Sequence, residues 1–392
     1  MMRDAVIVDV VRTPSGRGKP GGMLSHVHPV DLLAGVLREL VDRSGIDPVQ
    51  IDDVIGGCVS QVGEQSYNVV RTAVLSAGFP VSVPGTTIDR QCGSSQQAAS
   101  FAAQGVIAGA YDIVIACGVE SMSRVPLGSS TLGLSPYGVG IAERFPDGLV
   151  SQGISAELIA ARHDFGRDEL DAFSAESHRR AAAAAERGDF AREIIGVAGV
   201  ESLVDETVRA GTTTSALSGL APAFRTDELS ARFPEIDWRI TPGNSSPLTD
   251  GASAALIMSS ARAAELGLTP RARFHAFAVT GSDPLLMLTG VVPATRMVLD
   301  RAGLAVEDLD SSEVNEAFAP VPLLWLKELH ADPATLNPQG GAIALGHALG
   351  SSGTRLLATL LTSLERTGGR YGLQTMCEGG GMANATIIER LG

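Results

Sequence analysis

Four short segments carry side chains able to do chemistry. The first is DRQCGSSQQAAS, Asp89 to Ser100, where Cys92 precedes a run of small residues. A cysteine at a strand-to-helix junction meets backbone N–H groups and the positive end of the helix dipole, which favour a thiolate. The alternative is a buried thiol without a reactive role, the commoner fate of a lone cysteine. The second segment is NPQGGAIALGHALGSSGTR, residues 337–355, with His347 in a glycine-dense loop. Glycines let a backbone approach closely, and an imidazole there could be a general base or an oxyanion donor. Alone, it reads as well as a surface-loop histidine. The third is MCEGGGMANA, residues 376–385, where a second thiol, Cys377, ends a strand beside three glycines. It suits an acid/base with free N–H groups nearby, or simply a strand and its hairpin turn. The fourth is EVNEAFA, residues 313–319, with Asn315 and Glu316 between a strand and an apolar helix. That pair is catalytic or is no more than a helix cap.

The elements that must hold these residues recur. AVIVDVV (5–11) reads as a buried strand, and PVDLLAGVLRELVDRSG (29–45) as a helix with a closing glycine. DDVIGGCVS is strand and turn, SSQQAASFAAQGVIAGA (94–110) a buried small-residue helix, and YDIVIACGVESMS another strand. The order is repeated after residue 271: strand RARFHAFAVTG, helix ATRMVLDRAGL, strand and turn DLDSSEVNEAF, helix 350–369, then two strands about a glycine turn. GIDPVQIDDVIGGC parallels GLAVEDLDSSEVNEAF, and CGSSQQA with DIVIACGVESM parallels HALGSSGTR with GLQTMCEGGGM. Such a weak internal repeat implies two similar α/β halves about a pseudo-twofold. The halves are expected at 1–120 and 251–392. Residues 121–250 are too long for an ordinary connection. They read as an inserted loop domain with a helical island near 155–190 that covers a ligand and returns to the first half.

The chain has 392 residues, 44% of them hydrophobic, so a large core needs no staples. Glycine is abundant at 45 residues and aromatics are scarce at 4%, which suits close packing on small side chains. The formal net charge of −14 argues against a nucleic-acid partner. An anionic ligand must then be met by local arginines or helix N-termini. The four cysteines, Cys58, Cys92, Cys117 and Cys377, show neither C-x-x-C spacing nor a disulfide framework, and no metal cluster is read. The N-terminal apolar run is short and broken by Asp9, and no run is long enough to span a membrane. A reducing cytoplasm is the expected location.

In this order the segments resemble the thiolase family, the acyl-CoA C-acyltransferases, and most of all degradative members of actinobacterial type. The resemblance runs from VIVDVVRTPSGR to the last strand and rests on DRQCGSSQQA, NSSPLTDGASAAL, EVNEAFA, GGAIALGH and MCEGGG. It implies a thiolase fold, a duplicated five-layer αβαβα core with an inserted loop domain. It implies ping-pong cleavage of a 3-oxoacyl-CoA by CoA to acyl-CoA and acetyl-CoA, or the reverse condensation. By that resemblance Cys92 carries the acyl group, and His347 activates it and donates to one oxyanion hole. Asn315 holds a water in that hole, and Cys377 handles the acetyl α-proton. The N–H groups of Cys92 and Gly379 form the second hole. Ser246 would contact pantetheine and Arg209 would lie near the adenine. CoA and its thioesters are the expected partners, with no metal or redox cofactor, in a homodimer or homotetramer.

The chain departs from the family pattern in places. Ala348 follows the histidine where proline is common, and Glu378 stands where many members have an apolar residue. SQGISAEL lacks the His-Met pair of short-chain acetoacetyl enzymes. Arg225, Arg232 and Arg239 of a long connection read equally as phosphate ligands or solvated surface. A decarboxylating ketoacyl synthase would want histidine at Asn315 and no Cys377. A lipid carrier would lack one of Cys92, His347 and Cys377, and a cysteine hydrolase would leave Asn315 and Cys377 unexplained.

Overall fold

The computed structural model describes residues 3–392. Ten strands join in one sheet: β1 (Ala5–Arg12), β2 (Gly16–Arg17), β3 (Asp53–Gly57), β4 (Thr86–Ile88), β5 (Ile113–Ser121), β6 (Thr249–Ser259), β7 (Ala272–Gly281), β8 (Ser311–Val314), β9 (Tyr371–Glu378) and β10 (Met382–Arg390). The order is β4-β3-β5-β6-β1-β7-β10-β9-β8, with β2 beside β6. The seam is thin, since β1 and β7 share only the pairs Val6↔Arg273 and Ile7↔Ala272. Outward from it the pattern repeats. β1–β6 and β6–β5 are antiparallel and β5–β3 parallel; β7–β10 and β10–β9 are antiparallel and β9–β8 parallel. The duplication read from the glycine turns is thus a duplication of strand order.

Residues of β1 and β5 are buried throughout, as apolar runs in a sheet covered on both faces must be. Helix Pro29–Ser44 lays Leu33, Val36, Leu37 and Leu40 on the outer face of the first half. Its start is set by Pro29 under the His28 side chain and its end by Gly45 at φ 67°. Helix Val291–Ala302 covers the second half in the same way. Between the half-sheets lie helices Ser94–Ala108 and Ser352–Thr367, which bury Ala98, Ala102, Leu357 and Leu361 in a middle core. These are the five αβαβα layers expected. The two middle helices touch so closely that a Cβ on Gly353 would lie 2.0 Å from the Gln96 amide nitrogen.

After the short helix Val139–Arg144, the insertion carries helices Gln152–Arg162 and Arg167–Glu186. It is tied to β1 by Arg12, 1% exposed, which bonds Glu193 at 2.7 Å and Asp205 at 2.7 and 3.0 Å. Removing one member of such a buried cluster strands the others, at about 3–5 kcal/mol. β6 runs through residue 251, where the second half was expected to begin, and pairs with β1 and β5 of the first half. Its sequence, TDGASAALIMS, is half small residues and carries little strand signal.

Candidate active site

Cys92 sits in the tight turn that leads from β4 into helix Ser94–Ala108. Gln91 takes φ 49°, a left-handed conformation, and its N–H is held by Asp89 Oδ1 at 2.6 Å. The Ser94 hydroxyl takes the Arg90 N–H at 2.9 Å and donates to Gln91 O at 2.6 Å. The turn is locked from both sides, and the thiol is buried against Leu349, Leu356 and Met376.

The expectation of a dipole-stabilised thiolate is reversed. Burial first, and then the Glu378 carboxylate, push the Cys92 thiol up to about 12, while the Gln152 side chain of the insertion pulls it back. A helix end offers only a partial charge, and here it is outweighed by desolvation beside an acid. Cys377 is also pushed up, by burial and then by Cys92 itself, so the two sulfurs feel each other. Both rest as thiols.

His347 is fixed by four contacts. Its N–H donates to Thr249 Oγ1 at 2.9 Å, Leu248 bridges it, its Nδ1 meets Ser352 Oγ at 2.6 Å, and its Nε2 meets Asn315 Nδ2 at 3.4 Å. The Ser352 hydroxyl also reaches Ala348 O at 2.8 Å, and that carbonyl can only accept. Ser352 therefore gives its proton to Ala348 and accepts from Nδ1–H. This leaves Nε2 with its lone pair, the form a general base needs. Burial first, then Arg355, hold the ring down at about 3, so it rests neutral. The loop is held to the first half by Glu120. That buried carboxylate takes N–H groups from Val59, Ser60 and Gly350 and the Gln65 amide, all at 2.8–3.0 Å.

Asn315 continues β8 through its N–H to Thr375 O at 3.1 Å, one residue before Met376 and Cys377. Its Oδ1 is buried without a partner among the described residues, an acceptor open to a bound water. Glu316, expected as a partner or cap, faces away and is satisfied by Ser177, Asn337 and Ile343. A Cβ on Gly379 would lie 3.0 Å from Gln91 Oε1 and 3.2 Å from Gln152 Nε2, so two amides cover that glycine.

The rim is less settled by contacts. Ser246 is half-buried, its N–H on Ala317 O at 3.0 Å, beside the Asn315 loop. Arg209 is exposed, and its N–H contacts His178 within the insertion at 3.2 Å. Arg239 is engaged by Phe165 O and Asp237. Arg232 is pinned to Gly148 O at 2.6 Å and, with Arg144 and Phe233, lines a cleft of about 600 Å³. Arg225 is exposed. Sequence reasoning missed Gln152, Ser352 and Thr249. Only the serine left a signal, five residues past the histidine at a helix start.

A duplicated αβαβα core that gathers two thiols, an imidazole and a carboxamide defines an enzyme that moves acyl groups through sulfur. The chain belongs to the thiolase family: the thiolase N-terminal domain matches residues 5–261 and the thiolase C-terminal domain residues 268–390. It is an acyl-CoA thiolase, an acyltransferase. It is 47% identical to "Steroid 3-ketoacyl-CoA thiolase FadA6" of Mycobacterium tuberculosis, across 100% of this chain and 95% of that protein. It is 44% identical to a 3-ketoacyl-CoA thiolase of Saccharophagus degradans, across 99% of each. The crystal structure of the Bacillus anthracis acetyl-CoA acetyltransferase superposes with a TM-score of 0.88 at 36% identity, covering 100% of this chain and 99% of that one.

Proposed function

We propose that the chain cleaves 3-oxoacyl-CoA with Cys92 as nucleophile and His347 as its base. The observation that carries this is the His347 tautomer, with Nδ1–H on Ser352 and Nε2 unprotonated, its lone pair facing the Asn315 amide at 3.4 Å. As Cys92 sulfur attacks the keto carbon, its proton passes to Nε2. The alkoxide is met by Nε2–H and by a water on Asn315. The bond between C2 and C3 then breaks, and its electron pair goes to C2 as the acetyl-CoA enolate. The Cys377 thiol protonates C2, while the N–H groups of Cys92 and Gly379 hold the enolate oxygen. CoA attacks the acyl-Cys92 thioester, its thiol proton passing to Cys377, and the Cys92 sulfur leaves and takes back the proton held on His347 Nε2. Each donor set contributes about 10²–10³ in rate. No group beyond CoA is needed.

Ser246, beside the Asn315 loop, meets the pantetheine, and Arg209 the adenine end. The proposal includes a cytoplasmic homo-oligomer, dimer or tetramer. Support comes from β4, an edge strand with one unpaired side, and from Val81, 81% exposed shortly before it. Among the described residues no helix is long and apolar enough to cross a membrane. The test is mass spectrometry after incubation with an acyl-CoA. One acyl group should appear on the peptide bearing Cys92, and excess CoA should remove it. Label on Cys58 or Cys117 instead overturns the assignment.

A further inference from the structure

Glu378 ends β9 and pairs with Met382 across the hairpin. It is fully buried, and neither carboxyl oxygen has a partner among the described residues. Alternation along a strand sends Cys377 and Glu378 to opposite faces. Cys377 joins the outer core of the second half, whereas Met376, like Glu378 one residue away, packs on Cys92. A Cβ on Gly93 would lie 2.1 Å from Glu378 Oε1 and 2.7 Å from Asn384 Nδ2. The carboxyl thus rests on the residue directly after the nucleophile, under the first turn of helix Ser94–Ala108. The side chain beside it is Asn384. Its amide N–H is committed to Gly93 O at 3.1 Å and makes no hydrogen bond to the carboxyl. A fully buried carboxylate with no hydrogen-bond partner is costly, and the neutral acid is far less so.

We infer that Glu378 rests as a neutral acid and is a positioning residue, whose proton must stay on for negative charge to form at Cys92 and at the Gly379 oxyanion hole. This rests on the thiolase reading of the site. The charged and titratable groups about it are Asp89 and Arg90 of the preceding turn and the thiols of Cys92 and Cys377. Burial lifts the carboxyl to about 8, with Arg90 drawing it down and Asp89 pushing it up. Below that pH the thiol is opposed chiefly by burial, with a smaller push from Glu120. Above it, a full negative charge stands beside Cys92 and one residue from the amide that must hold the enolate. Both steps are then opposed, so activity falls on the alkaline side.

Glu378→Gln keeps the shape and cannot ionise. Iodoacetamide alkylation of Cys92, located by peptide mass mapping, is followed from about pH 6 to about pH 10 beside kcat/KM for cleavage. Wild type and variant should alkylate within about twofold of each other below neutrality. Near pH 9 the variant should be roughly tenfold faster, the equivalent of one pKa unit, and keep the activity that wild type loses. Superimposable profiles overturn the inference. So does an equal acceleration at every pH, which would mean a carboxylate ionised throughout. Infrared difference spectra between neutral and alkaline pH give a second reading with Glu378 left in place, taken in a Glu313→Gln background because that buried acid is also lifted to about 8. The C=O stretch of a protonated acid should vanish, and its absence from the neutral spectrum overturns the proposal. Label on another cysteine would instead refute the role of Cys92, and the infrared result would still decide the state of Glu378.

Discussion

The two middle helices are repeats of one another, yet their starts are built for opposite work. Helix Ser94–Ala108 follows Cys92 and has the Glu378 carboxyl under its first turn. Helix Ser352–Thr367 follows His347 and carries Arg355 in its own first turn, 5% exposed, with all three guanidinium nitrogens unpartnered among the described residues. The acid works against a negative sulfur and the guanidinium against a positive ring. Each opposes the ion pair that many cysteine nucleophiles adopt at rest. The lesson is that duplication supplied two equivalent helix starts, and a buried ionisable group at each, an acid at one and a guanidinium at the other, made them different. On the proposed mechanism the resting pair is neutral, and the proton moves as the sulfur attacks.

The comparison predicts its largest effects at the atoms that react. His347→Ala should slow both half-reactions, because the thiol loses its base and the alkoxide a donor. About 10²–10³ in rate per lost donor is expected. Cys377→Ala should still take an acetyl group from acetyl-CoA onto Cys92, but should fail to exchange the acetyl methyl protons with deuterium. Rapid-quench acetylation and methyl exchange separate the steps. Exchange at the wild-type rate in Cys377→Ala would remove that thiol from the proton step.

Much of this was legible in the chain because it is local. The strand ends before Asn315 and at Cys377, and the helix after Cys92, follow from periodicity and glycine over a dozen residues. The repeat was visible as matched turns. What was not legible depends on distant pairs. Nothing near Cys92 announces that residue 378 lies beneath Gly93, so the helix-end argument gave the wrong sign for its acidity. Gln152 reaches the thiol from the insertion, and no local pattern marks it. β6 escaped because its packing, not its composition, makes it a strand: Ala252 to Ala255 are buried between β5 and β1.

Removing the charge at the second helix start should show in the pH profile more than in the maximal rate. Arg355 faces Glu313 on β8, Arg12 on β1, and Glu193 and Asp205 of the insertion. Arg355→Met relieves His347 of a positive neighbour, so the imidazole should titrate higher. The acid limb of kcat/KM then moves up, by roughly one unit. The direction follows from the base being active only when unprotonated. The variant also strands Glu313, itself 1% exposed and already lifted to about 8 by burial. Arg355 and Glu313 make no hydrogen bond, so what is lost is a longer-range attraction, expected to cost less than the roughly 3–5 kcal/mol of a broken buried pair. Arg355→Met with Glu313→Gln removes both charges and should keep the shifted limb with less loss. An unshifted limb in the double variant would break the symmetry drawn between the two helices.

The smallest effect should come from Ser352, which touches no substrate and acts only through His347. Its hydroxyl is committed to Ala348 O, so its oxygen can only accept from Nδ1. Ser352→Ala leaves Nδ1–H without its acceptor in a buried site. The ring then spends part of its time with the proton on Nε2, where it cannot act as a base. Acylation of Cys92 should slow by roughly ten- to a hundredfold, less than the cost of losing the ring itself. KM for the thioester should change little, because no binding contact is lost. Methyl-proton exchange by Cys377, which uses a different acid, should fall far less than acylation. Ser352→Thr restores a hydroxyl at the same place and should recover most of the rate. If alanine and threonine behave alike, Nδ1 is not held by this hydroxyl, and the tautomer assigned to His347 loses its basis.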